Sequence, residues 1–147
     1  MHPERVRGIA DHVKRWAIPL GGIPAWAVES PSFASKGPGH DKVLSGWWMF
    51  VDHLMSAGWE PPLLVAPSQV KKFATGKGGG PGTGKVEVAL AIAKKFPDVV
   101  VKNDNEADAL VIASVAAAAH GEPFIGTLTK YQQEVVDAVR AGGKETP

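Results

Sequence analysis

The chain has 147 residues, a net charge of +1 and 44% apolar residues, the size and composition of one folded domain with its own core. It contains no cysteine, which excludes disulfides, thiolate metal sites and a cysteine nucleophile and suits a reducing cytoplasm. The N-terminus is charged (Glu4, Arg5, Arg7) and lacks the apolar core of a signal peptide, and the longest apolar run, Ala107 to Ala119, holds Asp108 and is too short to span a membrane.

Val6, Ile9, Ala10, Val13 and Trp16 recur at helical spacing, so residues 3–17 are predicted as an amphipathic helix, broken by Pro19, Gly21, Gly22 and Pro24. "AWAV" at 25–28 reads as a short buried strand closed by Glu29, and "SPSFASKGPG" as a loop. A second helix is expected over about 41–57, dense in large apolar residues (Val43, Leu44, Trp47, Trp48, Phe50, Val51, Leu54, Met55) and capped by Gly58. "LLVA" is the second strand, with Pro67 just after it. The polar, basic stretch "PSQVKKFATGK" and the glycine-rich stretch after it are read as one long basic loop. Further helices are predicted over about 84–95, 104–119 and 127–140, with "DVVVKND" extended between the first two and a frayed tail from 141 to 147. Helices alternating with short, continuously apolar strands indicate an α/β fold with parallel strands, in one domain over 1–140.

The stretch "GGGPGTGKV" (78–86) invites a nucleotide-site reading. Gly79 to Lys85 match the first seven positions of the P-loop pattern, but Val86 stands where a Ser or Thr hydroxyl is needed. The nearest strand also ends a dozen residues earlier, where a P-loop follows its strand directly. No nucleotide cofactor is expected.

Charge is unevenly spread. Between Pro61 and Val86 lie Lys71, Lys72, Lys77 and Lys85 and no acidic residue, while Asp98, Asp104, Glu106 and Asp108 gather further on. Such a pairing fits a polyanion bound beside a metal ion, or simply a solvated loop. Within the acidic group, Asn103 and Glu106 form a capping box, and carboxylates in a first helical turn favour the helix dipole, which accounts for Asp104 and Glu106 without any function. Asp108 is harder to explain. It lies a turn inside a helix that is apolar nearly all round, where an uncompensated carboxylate is costly. A metal ion would compensate it, with Asp104 and Asn105 on the same face. Glu29, at the C-terminal end of a buried strand, stands where ligands bind in parallel α/β sheets, or is a solvated strand end.

"NDNEADALVIA" resembles the final catalytic motif of RuvC-type Holliday junction resolvases, in the RNase H-like superfamily. The order of features is similar too: "AWAVES", then a helix and a strand leading into "APSQVKKFATGKG", then "GKVEVALAIAKKF" and the acidic apolar helix, together covering about residues 5–120. The resemblance implies an RNase H-like core and phosphodiester hydrolysis of branched DNA with two divalent ions, Mg2+ or Mn2+, for which carboxylates are the right hard ligands. Glu29 and Asp108, with Asp104, are then the catalytic metal ligands, and Lys71, Lys72, Lys77 and Lys85 lie along DNA phosphates. Phe33 would wedge against an unpaired base, or anchor its loop. A two-fold homodimer suits a four-way junction, with Trp47, Trp48 and Phe50 at the interface or packed on the sheet.

Two departures from the family pattern bear on activity. Relatives begin with antiparallel strands whose first member carries a catalytic Asp, and this sequence opens at what corresponds to the following helix; the antiparallel strands are expected to be missing and cleavage impaired. Asn105 also stands where relatives carry Asp or His. The rival reading is a non-catalytic DNA-binding remnant of a resolvase; a P-loop phosphotransferase is disfavoured by Val86.

Overall fold

The computed structural model describes residues 2–21, 25–31 and 37–142. The protein is α/β, mostly helical, with a two-stranded parallel sheet. Its contacts divide it into two compact units, Met1–Ala25 with Pro31–Pro62, and Trp26–Ser30 with Leu63–Pro147. Among the described residues no helix is long and apolar enough to cross a membrane.

The first unit pairs helix α1 (Pro3–Ala17) with helix α2 (His40–Ser56). Val6, Ala10 and Ala17 of α1 and Val51 and Leu54 of α2 are buried. The sequence reading put Val6, Ile9, Ala10, Val13 and Trp16 on the apolar face of α1; Val6 and Ala10 are buried, but Ile9 and Trp16 are exposed, and Ala17 is buried instead. Polar contacts join the two helices. His53 Nε2 lies 3.0 Å from Asp11 Oδ1 and 3.1 Å from Lys14 Nζ, and Lys14 donates to Asp11 at 2.6 Å. Hydrogen bonds from Lys14 and then His53 hold the Asp11 carboxyl down at about 2.

The second unit carries the sheet. Strand β1 (Ala27–Glu29) pairs in parallel with β2 (Leu63–Val65), Ala27 opposite Leu63 and Glu29 opposite Val65. Parallel pairing requires a long crossover, and the chain between the strands supplies it. Ser30 N–H donating to Val65 O at 2.9 Å extends the ladder one step beyond Glu29 and fixes that strand end.

After β2 the structure corrects the sequence reading: Pro67–Thr75 is a helix, α3, where a loop was expected. Pro67 supplies the fixed φ of a first helical position, and Gln69 Oε1 accepts from Ala66 N–H at 2.7 Å. Val70, Phe73 and Ala74, at i, i+3 and i+4, form the buried face. Gly76 ends the helix at φ 85°, a left-handed position that glycine takes without strain. Only the stretch after Gly76 is loop. It leads to α4 (Lys85–Lys95), so the glycine-rich segment joins helix to helix, whereas a P-loop joins strand to helix.

Helix α5 (Asp104–Ala119) follows, packed against β1, α3, α4 and α6 (Lys130–Gly142). Val111 and Val115 of α5 meet Val65, Phe73, Ile92, Val135, Val136 and Val139 in one core. Such central packing explains why α5 is apolar nearly all round. The "DVVVKND" stretch before it forms no strand.

Helix α6 also makes polar ties. The buried Gln132 donates to Phe73 O at 3.3 Å and accepts from Thr129 N–H at 3.0 Å, satisfying an end carbonyl of α3. Arg140 donates from Nε to Ala119 O at 2.8 Å and from Nη2 to Ala118 O at 3.0 Å, capping the C-terminus of α5 with a cation. Arg140→Ala is expected to cost about 1 kcal/mol. Hydrogen exchange should show the loss as faster exchange confined to the last turn of α5; unchanged exchange there would mean the cap contributes nothing.

A candidate carboxylate and lysine site

The site lies entirely in the second unit, where three elements deliver charged side chains. β1 ends on Glu29, held in place by the Ser30 bond to β2. The start of α5 supplies Asp104 in its first turn and Asp108 one turn further in. Its start is fixed by Asn103, whose Oδ1 accepts from Glu106 N–H at 2.9 Å, while Glu106 Oε2 accepts from Lys102 N–H at 2.8 Å. Glu106 is thus engaged in capping, as its sequence position suggests. α3 and α4 contribute Lys71 and Lys85.

Glu29 stands exposed at the strand end, yet its carboxyl is partly desolvated. That desolvation first, and the negative charge of Asp108 second, raise its pKa. Asp108 is half-buried. Burial raises its pKa and Asp104 adds to the rise, while Lys85 and Lys71 pull it back. The negative charge of Asp108 is thus felt at Glu29, while Lys85 and Lys71 offset part of the cost at Asp108. That pattern marks a place where a cation lowers the free energy.

Asp104 is in a different condition. Lys85 donates to its Oδ2, and that hydrogen bond chiefly lowers the Asp104 pKa, helped by the backbone N–H groups of Asp104 and Asn105 at the helix start. The same contact raises Lys85. Expected as a DNA contact, Lys85 is here the partner of an expected metal ligand. Lys72 reaches α6 and donates to Glu134 at 2.8 Å, which lowers the Glu134 pKa. Lys77 stands exposed in the loop after α3. Of the four lysines, Lys71 and Lys85 are the two whose charge bears on Asp108. Phe33 lies outside the described residues.

Asp108 and Glu29 suit one hard divalent ion, since Mg2+ is commonly held by one or two carboxylates with water completing its shell. A fuller cage is not present: among the described residues no group of three His, Asp or Glu side chains gathers to hold a metal. The sequence reading named Glu29, Asp104 and Asp108 as candidates, but not the Lys85–Asp104 or Lys72–Glu134 pairs. Compared with family models, curated proteins and solved structures, the chain finds no match.

Proposed function

We propose that this site is a metal-dependent phosphodiesterase centre acting on branched DNA, in an RNase H-like core of the RuvC type. What supports the reading is the placement of Glu29 at a strand end and Asp108 near a helix start, with the charge of Asp108 felt at Glu29 and that of Lys71 at Asp108. Their oxygens would hold one Mg2+ or Mn2+. When bound, such an ion supplies Lewis-acid stabilisation of charge on the phosphate. Lys71 places a positive charge beside the carboxylates, where the phosphate entering with the ion needs neutralising. Asp104 joins as a third ligand only when Lys85 gives it up, and Lys85 is then free for phosphate. Incubation of a four-way junction with the chain in Mg2+ or Mn2+ tests the reading. Metal-dependent nicking supports it; no nicking in either metal together with no Mn2+ binding that depends on Glu29 and Asp108, junction binding being intact, overturns it.

A second reading, a DNA-binding protein without nuclease activity, is favoured by one observation: among the described residues no group of three His, Asp or Glu side chains gathers, and Asp104 is held by Lys85. Both readings share an expectation about salt. Lys71→Ala should lower the slope of log affinity against log salt by about one unit, as for one lost phosphate contact. Lys72→Ala, its cation already on Glu134, should leave the slope nearly unchanged, and Lys85→Ala should fall between. Equal losses for Lys71 and Lys72 would show that the ion pairs do not sort these lysines.

A further inference from the structure

Helix α4 is apolar on two sides. Val88 and Ile92 face the core, while Val86 and Leu90 are 68% and 57% exposed. Those two side chains line one wall of a groove of about 740 Å³, and Val99 and Val100, from the segment between α4 and α5, line the other. Lys85, Lys102 and Asp104 line it too, where α4 and α5 begin. Lys85 and Asp104 also belong to the carboxylate and lysine site, so the groove is continuous with that site. Its volume falls in the range of about 300–1,000 Å³ typical of ligand sites.

We propose that this groove is a subsite for one unpaired nucleotide flanking the phosphate at the Glu29 and Asp108 centre. The base would lie between Val86 and Leu90 on one side and Val99 and Val100 on the other, with its own phosphate on Lys85 and Lys102. The proposal rests on the phosphodiesterase reading of that centre. Charge and shape select this occupant. The charged residues of the groove are two lysines and one carboxylate, an excess of positive charge that suits a phosphate. A peptide or acyl chain would suit the apolar walls, but not that end nor the neighbouring centre. The Lys85 side chain is 81% exposed, so it can turn from Asp104 to a phosphate without disturbing the core. That exchange also frees Asp104 for the metal. The base must be unpaired, because a stacked base offers neither face, and a branch point or bulge supplies an unstacked one at low cost. The aliphatic walls carry no hydrogen-bonding side chain, so the groove takes a base by its faces and does not read its edges; a purine is favoured over a pyrimidine by area alone.

Fluorescence anisotropy in EDTA tests it, using duplex DNA with one unpaired adenine and the same duplex with an abasic unit there. The chain is expected to bind the adenine form about fivefold more tightly, the lower end of what one stacked base contributes, since the walls are aliphatic. Cytosine should fall between the two. Leu90→Gln and Val100→Gln, both at exposed positions, should bring the adenine-to-abasic ratio close to one with unchanged circular dichroism. Equal binding of the two duplexes by the wild type, or an undiminished ratio in either variant, would overturn the proposal. Because metal is absent, the ratio is independent of nicking. No adenine preference, beside Mn2+ binding that depends on Glu29 and Asp108, strikes the groove alone. A clear preference without that Mn2+ binding or any nicking strikes the phosphodiesterase centre alone, and no binding of either duplex removes both.

Discussion

Asp108→Asn is expected to abolish divalent-ion binding by the second unit while raising its stability. Loss of affinity follows because Asp108 supplies half of the carboxylate pair and sits among the acidic side chains of the site. Even removal of an outer partner costs a metal site about 10–100-fold in affinity, and a direct ligand should cost more. Mn2+ titration followed by electron paramagnetic resonance measures it, and any metal-dependent nicking should vanish in parallel. The gain in stability follows from the raised carboxyls. A carboxylate whose folded pKa lies above its unfolded value keeps its proton longer when folded, so its ionisation opposes folding at neutral pH. The penalty is present above the folded pKa and is relieved as pH falls through it. Asn removes the Asp108 charge permanently, and Glu29 then titrates closer to its ordinary value. Because both groups are substantially solvated, the effect is small, a rise in melting temperature on the order of a few degrees that fades as pH falls toward 4. Unchanged Mn2+ affinity would remove the metal site. A fall in melting temperature would mean that the Asp108 charge is matched by lysine and carries no excess.

Phe73→Ala is the substitution with the largest expected cost to folding. The ring is 1% exposed and packs in the core shared by α3, α4, α5 and α6. Lys95 Nζ sits 5.8 Å from the ring centroid, adding a cation–π contact that Ala cannot make. Loss of a buried phenyl ring, with the cavity left behind, costs about 3–5 kcal/mol. That is a large part of the ~5–15 kcal/mol by which a typical domain is stable. Phe73 is also the anchor of the helix that carries Lys71, so on the proposed function its removal should weaken binding of branched DNA under conditions where the chain remains folded. Urea unfolding gives the first quantity and salt-dependent DNA binding the second. A cost below about 1 kcal/mol would mean that the buried face of α3 is not packed as described.

Much of the architecture was legible locally. The apolar helix over Asp104–Ala119 has those bounds in the structure, because its cap at Asn103 and its stop at His120-Gly121 are written within a few residues of its ends. Both strands were found, and their parallel pairing followed from short, wholly apolar runs between helices. Helix α3 was equally legible, since Pro67, the Val70–Phe73–Ala74 spacing and Gly76 all mark it, but the lysines and the nearby glycines drew the reading toward a loop. Glu29 and Asp108 could be named from strand-end and helix-start positions alone. Which charges compensate which could not. Lys85 pairs with Asp104 across 19 residues, Lys72 with Glu134 across 62, and Arg140 caps α5 across 21 and 22. Helix propensity, caps and apolar periodicity act over one or two turns and are carried by neighbouring residues. A Coulomb or hydrogen-bond partner is chosen by distance in space, which exists only once α3, α4, α5 and α6 have closed on their common core. The packing of α1 on α2 decided that Ile9 and Trp16 face outward, and the closure of the second unit that one side of α4 stays uncovered, since periodicity identifies an apolar face but not what packs against it.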